Sequence, residues 1–231
     1  MAALAAPQPC HKEEFELLKA RLSAKPPSPP LGGLLPTNIP ELDRLLDGGL
    51  PAGAVTTLEG EIGRWSLAAG LVAGATRKGL VAILDDGGLY PPALAQAGAR
   101  LERVLVVPVR RAIAMARAAD ILLRSRICRL VLVPAMAVRD AIWTRLATLA
   151  HRSGAILIVV AARANAALSA AAGVRLHCAL ERAVVHGRRG LWGSIAGFEL
   201  SVGVRKHRHN VVGGTVRIRA EHAEMLDAAL R

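Results

Sequence analysis

The chain of 231 residues is long enough for one domain with a sizeable hydrophobic core. Its residues are 52% hydrophobic but only 3% aromatic, which favours an interior of alanine, leucine and valine, as in a sheet covered by helices. No apolar run approaches the roughly 18 residues of a membrane span, the first residues lack the charge and length of a secretory signal, and three scattered cysteines argue against a disulfide framework. We therefore expect a cytoplasmic protein.

Lysine and arginine outnumber aspartate and glutamate by 30 to 18, which gives a formal net charge of +12. A charge of this sign attracts nucleic acid, acidic protein surfaces and anionic lipid without choosing among them. Arginine dominates the basic residues, and a genome rich in G and C would produce the same bias without a functional cause. The charge therefore leaves both a polyanion-binding face and a compositional origin open.

Residues 1–30 are predicted to lie outside the core. Residues 11–22 have the pattern of an amphipathic helix, with Phe15, Leu18 and Leu22 on one face. The proline-rich segment 23–30 is typical of an extended, semi-rigid spacer. So short a helix cannot bury its apolar stripe alone, so it is expected to dock on its own chain or on another molecule. The sequence leaves both possibilities open.

Residues 35–53 contain a short predicted helix between turns. Pro40 falls in its first turn, and Gly48-Gly49 ends it. The segment from Val55 to Leu58, bounded by glycine and proline, then indicates a short buried strand. A loop after this strand, followed by a helix, is where a nucleotide-binding protein carries its phosphate loop.

That loop has the wrong residues for phosphate binding. A phosphate loop needs two glycines separated by four residues, then Lys and Ser/Thr, to wrap the phosphates and hold Mg²⁺. Here Gly60 and Gly63 are separated by two residues, and Arg64 and Trp65 stand at the Lys and hydroxyl positions, ahead of Ser66. The sequence therefore predicts a degenerate site that holds no cofactor and no metal. Trp65 is expected to fill the vacated phosphate pocket, or else to be an exposed anchor for a partner.

Further along, apolar strands and Ala/Leu-rich or amphipathic helices alternate, which predicts a parallel sheet with right-handed crossovers. The predicted strands are Leu80–Leu84, Val104–Pro108, Leu130–Val133 and Ala155–Val160, and the predicted helices are Ser66–Thr76, Ala112–Arg124 and Ala141–His151.

The segment from Thr37 to Gly53 reads Thr-x-Ile-x-x-Leu-Asp-x-Leu-Leu-x-Gly-Gly-Leu-Pro-x-Gly ahead of the strand and loop. This pattern and the order of elements resemble the core of RecA-type recombinases. The resemblance implies an α/β fold with a RecA-like core, residues 31–220: a mostly parallel twisted sheet flanked by helices, with antiparallel strands at its C-terminal edge. The segments that resemble this edge are Val174–Leu176, Glu199–Arg208 and Thr215–Arg219, and a tail, residues 221–231, follows.

The resemblance also shows what a RecA-type enzyme would need and this sequence lacks. Gly87 stands at the position of the water-activating carboxylate, and Pro134 stands at the position of the metal-side carboxylate. Asp86 could replace the first of these only by a shift of one residue. Because phosphoryl transfer depends on Lys, metal and carboxylate together, we expect no ATPase activity.

Two further parts of the recombinase pattern are reduced. The recombinases hold single-stranded DNA with long segments after the fourth and fifth core strands. Here residues 134–140 form a short connector, and residues 163–173 are alanine-rich, without an aromatic to stack a base and with Arg163 as their one basic residue. DNA binding is therefore expected to be weak or non-specific.

Two C-terminal features are candidates for protein contacts. The basic stretch Arg205, Lys206 and Arg208 lies on a predicted strand and is either a solvated edge or a docking stripe. The tail is predicted to form an amphipathic helix that either covers the core or binds a partner; its apolar residues are Met225, Leu226 and Leu230.

Among RecA relatives, a short chain with this entry pattern and a degenerate nucleotide site is most similar to the ImuA family, the RecA-like accessory protein of the bacterial damage-inducible (SOS) mutagenesis cassette. The resemblance implies a cytoplasmic, nucleoid-associated scaffold in translesion DNA synthesis. It would contact the polymerase-like protein ImuB through its C-terminal part, with an error-prone replicative polymerase completing the assembly. Contact with RecA, and self-association through the N-terminal helix, are further expectations.

Three alternatives remain at this stage. A cell-division inhibitor similar to SulA would share the missing nucleotide site. A residual nucleotide-binding switch would bind ATP without hydrolysing it. A nucleic-acid-binding module driven by charge would show a steep dependence of its affinity on salt.

Overall fold

Short, mostly apolar segments form the central parallel strands of one large sheet, longer mixed segments form its antiparallel edge, and most of the segments between the parallel strands form the covering helices. The computed structural model describes residues 33–186, 194–207 and 213–221. The predicted N-terminal helix and spacer, and the tail after residue 221, lie outside these residues.

The strands are β1 (Leu34–Leu35), β2 (Leu50–Pro51), β3 (Val55–Glu59), β4 (Leu80–Asp85), β5 (Val104–Pro108), β6 (Cys128–Pro134), β7 (Ile156–Val160), β8 (Val174–His186), β9 (Ser194–His207) and β10 (Thr215–Glu221). The helices are α1 (Pro40–Leu45), α2 (Arg64–Thr76), α3 (Pro91–Gln96), α4 (Ala112–Ser125), α5 (Asp140–Ser153) and α6 (Ala166–Ala171), with a 3₁₀ turn at Leu101–Arg103. Among the described residues, no helix is both long and apolar enough to cross a membrane.

Eight strands form the main sheet in the order β10-β9-β8-β3-β7-β6-β4-β5, while β1 and β2 form a separate pair. Neighbouring strands from β8 to β5 are parallel, whereas β9 and β10 are antiparallel to their neighbours. This arrangement confirms the predicted α/β fold with a mostly parallel sheet and antiparallel strands at its C-terminal edge. β3 and β7 are buried along their whole length, as expected for central strands covered on both faces.

The two faces of the sheet carry separate hydrophobic clusters. One cluster packs the sheet against α1, α2 and α3, and the other packs it against α4, α5 and α6. Trp143 of α5 is only 1% exposed and is among the largest side chains buried in the second cluster. Both faces are therefore closed by helices, and the edge at the carboxyl ends of the parallel strands is left for ligands or partners.

β8 is much longer than the three residues predicted, 174–176. The last residue of β8 that pairs with β3 is His177, which lies opposite Glu59. Beyond it, β8 continues to His186 and is paired only with β9. β9 likewise begins at Ser194 rather than at the predicted Glu199. The antiparallel strands therefore extend beyond the parallel part of the sheet, beside the loop that follows β3.

Candidate functional site

The loop from Gly60 to Gly63 joins the carboxyl end of β3 to the first residue of α2. β3 lies between β7 and β8 and is parallel to both. The loop thus occupies the edge at which open α/β sheets bind their ligands. α2 begins at Arg64, two residues before the predicted start, and no side chain caps its first turn.

Both glycines of the loop lie directly against the antiparallel strands. Gly60 has φ +126°, and a Cβ atom there would lie 2.0 Å from the carbonyl oxygen of Cys178 on β8. Gly63 has φ +89°, and a Cβ atom there would lie 2.6 Å from the side chain of Leu200 on β9. The Gly60 N–H donates to the carbonyl of Ala162 at 3.1 Å. The loop is therefore pressed against the sheet instead of standing open around a ligand.

The Arg64 side chain turns back onto the same loop. Its Nη1 donates to the carbonyl oxygen of Gly60 at 2.6 Å and to the carbonyl oxygen of Glu61. A functional phosphate loop directs N–H groups at its ligand, because these carry partial positive charge. Here two carbonyl oxygens face the chain's own guanidinium group. The concave side of the loop is thus arranged around a cation, and Arg64 supplies that cation.

Sequence reasoning missed Glu59, the last residue of β3. It is 5% exposed, and its two carboxylate oxygens accept hydrogen bonds from Arg175 at 2.8 and 2.9 Å. Thr57 Oγ1 donates to it at 2.9 Å, and the Ala164 N–H donates at 3.5 Å. Burial opposes ionisation of Glu59, but the hydrogen bonds from Arg175 and Thr57 and the charge of Arg175 outweigh it and hold its pKa below 4.5. A carboxylate ionised at neutral pH therefore lies at the entrance to the loop.

A cavity of about 650 Å³ lies next to this loop. Glu59 and Glu61 line it together with Arg163 and His177. Glu59 is already paired with Arg175, and the charges of Glu61 and Arg163 have opposite sign, so the lining offers a polyphosphate no excess of positive charge. Among the described residues, no three histidine, cysteine, aspartate or glutamate side chains are grouped so that they could hold a metal ion.

Gly87 and Pro134 stand where an active RecA-type enzyme would carry carboxylates. Gly87 lies in the turn after β4, and Pro134 is the last residue of β6. Asp85, the last residue of β4, accepts hydrogen bonds at Oδ1 from the N–H groups of Gly87 and Leu89 at 3.0 and 2.9 Å. It thus fixes the turn that contains the exposed Asp86 and Gly87. Pro134 ends β6 and pairs with Val160 of β7. Asp85 is therefore engaged in its own turn.

Two comparisons with known proteins agree with this architecture. Residues 43–166, more than half of the chain, match the family described as the MT3502 N-terminal domain. The chain belongs to this family. The crystal structure of the RadB recombinase is similar over 80% of this chain and 96% of that chain, with a TM-score of 0.62 and 20% sequence identity. No curated protein matches the chain by sequence.

The family match and the recombinase fold together make this chain a RecA-like protein of the ImuA type. Its role is therefore RecA-related and associated with DNA damage. The family match begins within α1 and covers the degenerate loop and all of the parallel strands except β8.

In this member of the family, Trp65 does not fill the phosphate pocket. Its side chain is 45% exposed and lines a groove of about 720 Å³ over α2, away from the cavity beside the loop. The prediction that Trp65 plugs the site is therefore wrong. The tryptophan follows Arg64 on the first turn of α2, and the folded-back Arg64 side chain occupies the loop instead. The alternative, that Trp65 is an anchor for a partner, stays a prediction.

The predicted basic stripe is only partly available for binding. Lys206 Nζ donates to the carbonyls of Ser169 and Ala170 at 2.9 and 3.2 Å, so it caps the last turn of α6. Arg205 is exposed. The other predicted protein-binding residues lie outside the described part of the chain: Phe15, Leu18, Leu22, Arg208, Met225, Leu226 and Leu230.

Proposed function

We propose that this protein is a non-catalytic, RecA-like scaffold of damage-induced translesion DNA synthesis. It binds ImuB through its C-terminal part and brings RecA and an error-prone replicative polymerase into the same assembly. The observation that carries the proposal is the closed loop after β3, where Arg64 bonds to the loop carbonyls and both glycines rest on β8 and β9.

Loss of catalysis follows from what phosphoryl transfer requires. Nucleotide hydrolases of this class position the phosphates with backbone N–H groups and a Lys, hold Mg²⁺ with a hydroxyl and a carboxylate, and orient the attacking water with a further group. The described residues offer instead a guanidinium held by the loop itself, a tryptophan that faces another groove, and a buried carboxylate paired with Arg175. The RecA-like fold is therefore proposed to serve as a surface for protein contacts.

We expect no saturable heat when ATP and Mg²⁺ are titrated into the full-length protein, and no phosphate release. A RecA recombinase on the same instrument gives the positive control. The variant Arg64→Lys with Trp65→Thr is expected to remain inactive as well, because the loop is still two residues too short to encircle a triphosphate. Saturable binding by the unaltered chain would contradict the proposal.

We expect tagged full-length protein to capture ImuB from cells treated with a DNA-damaging agent. The variant Leu226→Asp is expected to lose most of this capture, because the charge disrupts the apolar face predicted for the tail. Leu18→Asp is the matched control at the other end of the chain. ImuB recovered equally by the unaltered protein and Leu226→Asp would remove the tail from the interface, and no recovery of ImuB by any of them would remove the assignment to translesion synthesis.

A further inference from the structure

A groove with a largely apolar lining lies over α2. It is about 720 Å³ in volume, and its floor is formed by small residues of α2, including Ser66, Ala69 and Gly70. α3 and the loop before it border the groove, as do α1 and β10. This size is in the range of roughly 300–1,000 Å³ typical of pockets that enclose a ligand or several side chains.

Two aromatic side chains line this groove while remaining half exposed. Trp65 is 45% exposed and Tyr90 is 56% exposed. The whole chain contains three tryptophans, one tyrosine and two phenylalanines, so a third of its aromatic residues face one groove. Aromatic side chains in an exposed groove are typical of surfaces that bind an apolar segment.

We propose that the chain's own C-terminal tail, residues 222–231, occupies this groove. β10, whose residues Arg217, Ile218 and Arg219 line the groove, ends at Glu221, where the tail begins. Ten residues reach about 15 Å as a helix and about 33 Å when extended, so the tail is long enough to turn back over α2. Its sequence contains three large apolar side chains that could lie between Trp65 and Tyr90: Met225, Leu226 and Leu230.

The tether favours the chain's own tail over other occupants. Met225 follows Glu221 by four residues, and a segment on so short a linker has an effective concentration in the mM range. A second copy of the chain would compete only at comparable protein concentrations. The N-terminal apolar residues are more distant, because Leu22 precedes Gly33 by eleven residues that include the proline-rich spacer.

Charge does not oppose this occupant. Glu224 and Asp227 exceed the single Arg231 in the tail, which makes it acidic on a chain of net charge +12. The charged residues that line the groove are Arg217, Arg219 and Glu41. Arg217 is already paired with Glu181 at 2.8 Å, so the tether and the apolar contacts decide the occupant. The inference does not depend on the proposed partner; in the cell, binding of the tail to a partner would compete with its docking on α2.

Hydrogen–deuterium exchange of the full-length chain tests the docking. In Leu226→Asp, amides of residues 64–70 and 89–96 are expected to exchange about tenfold faster than in the unaltered chain, which corresponds to a loss of about 1.4 kcal/mol of docking. Leu18→Asp is the matched control and is expected to leave these amides unchanged. Equal exchange in Leu226→Asp and the unaltered chain, or faster exchange in Leu18→Asp alone, would overturn the proposal.

A cross-link provides a direct and independent readout. In a Cys10→Ser background, Tyr90→Cys combined with Leu226→Cys is expected to form a disulfide within one chain under mild oxidation. The pair Tyr90→Cys with Leu18→Cys is the control and is expected to stay reduced; Cys128 and Cys178 are buried. A disulfide that joins two chains would assign the groove to a second copy. If no disulfide forms and hydrogen exchange in Leu226→Asp equals that of the unaltered chain, the tail does not bind in this groove.

Discussion

Replacing Gly60 with alanine is expected to destabilise the protein by about 4 kcal/mol or more. The added Cβ atom would lie 2.0 Å from the Cys178 carbonyl oxygen, and Cys178 is paired with Val202 of β9. Moving the Cys178 backbone would break this strand pairing, and moving Gly60 would break its N–H bond to the Ala162 carbonyl. The positive φ of Gly60 adds a separate cost, because L-residues rarely adopt this conformation.

Gly98→Ala separates these two contributions. Gly98 also has a positive φ, +84°, but a Cβ atom there meets nothing within 4 Å. We therefore expect it to cost only about 1–2 kcal/mol, the price of the backbone conformation alone. Urea denaturation of both variants measures the difference. Equal and small effects would mean that the loop after β3 stands away from β8, and the argument for a closed nucleotide site would lose its geometric basis.

Much of the fold could be predicted because local patterns and the order of elements agree. The strand β5 was predicted with its observed bounds, and β3 and β7 to within one residue, because apolar runs between glycines and helices have few alternatives. The mostly parallel sheet with an antiparallel C-terminal edge could then be expected from the resemblance of the entry pattern to RecA-type cores, and the eight observed strands have this arrangement.

The length of β8 could not be predicted in the same way. Beyond His177 the strand mixes apolar residues with charged ones such as Glu181 and Arg182, and this part is paired only with β9. This part of the strand is stabilised by its pairing with β9, and a prediction from neighbouring residues alone cannot detect pairing between segments that are distant in the sequence.

The site was predicted in part, for a related reason. Glycine spacing and the residues at the Lys and hydroxyl positions could be read directly from neighbouring residues. The sequence could not show that Arg64 occupies the loop while Trp65 faces a separate groove, because this depends on which of the two side chains folds back onto the loop carbonyls. Glu59 was missed because its partner, Arg175, is 116 residues away in the chain.

The ion pair between Glu59 and Arg175 gives the second large expected effect. Arg175→Met should destabilise the protein by about 3 kcal/mol at neutral pH, because it leaves a buried carboxylate without its partner. Glu59 side-chain exposure is 7% and Arg175 side-chain exposure is 26%, so solvent screens this pair only weakly. Methionine retains much of the length of the arginine side chain, which limits the loss of packing.

Arg182→Met is the matched control. Arg182 and Glu199 form the same two-bonded geometry, with both distances 2.7 Å, but the Arg182 side chain is 71% exposed. Exposed ion pairs contribute little because water and salt screen them. We expect a clearly smaller effect at this position, measured by urea denaturation under the same conditions.

The dependence on pH identifies the charge of Glu59 as the cause. In the unaltered protein the folded-state pKa of Glu59 is lowered below 4.5, so its contribution to the free energy of unfolding is present above about pH 4.5 and is lost as the pH falls through the folded-state pKa. In Arg175→Met, burial is expected to raise the pKa of Glu59 instead. Protonation of Glu59 then removes the unpaired buried charge that destabilises the variant. The difference in stability between the two proteins should therefore be largest at neutral pH. It should shrink as the pH falls, first through the raised pKa of Glu59 in the variant and then through its lowered pKa in the unaltered protein. A difference that stays constant from pH 7 to pH 3 would show that Arg175 acts through packing, and Glu59 would then no longer count as a fixed charge at the loop.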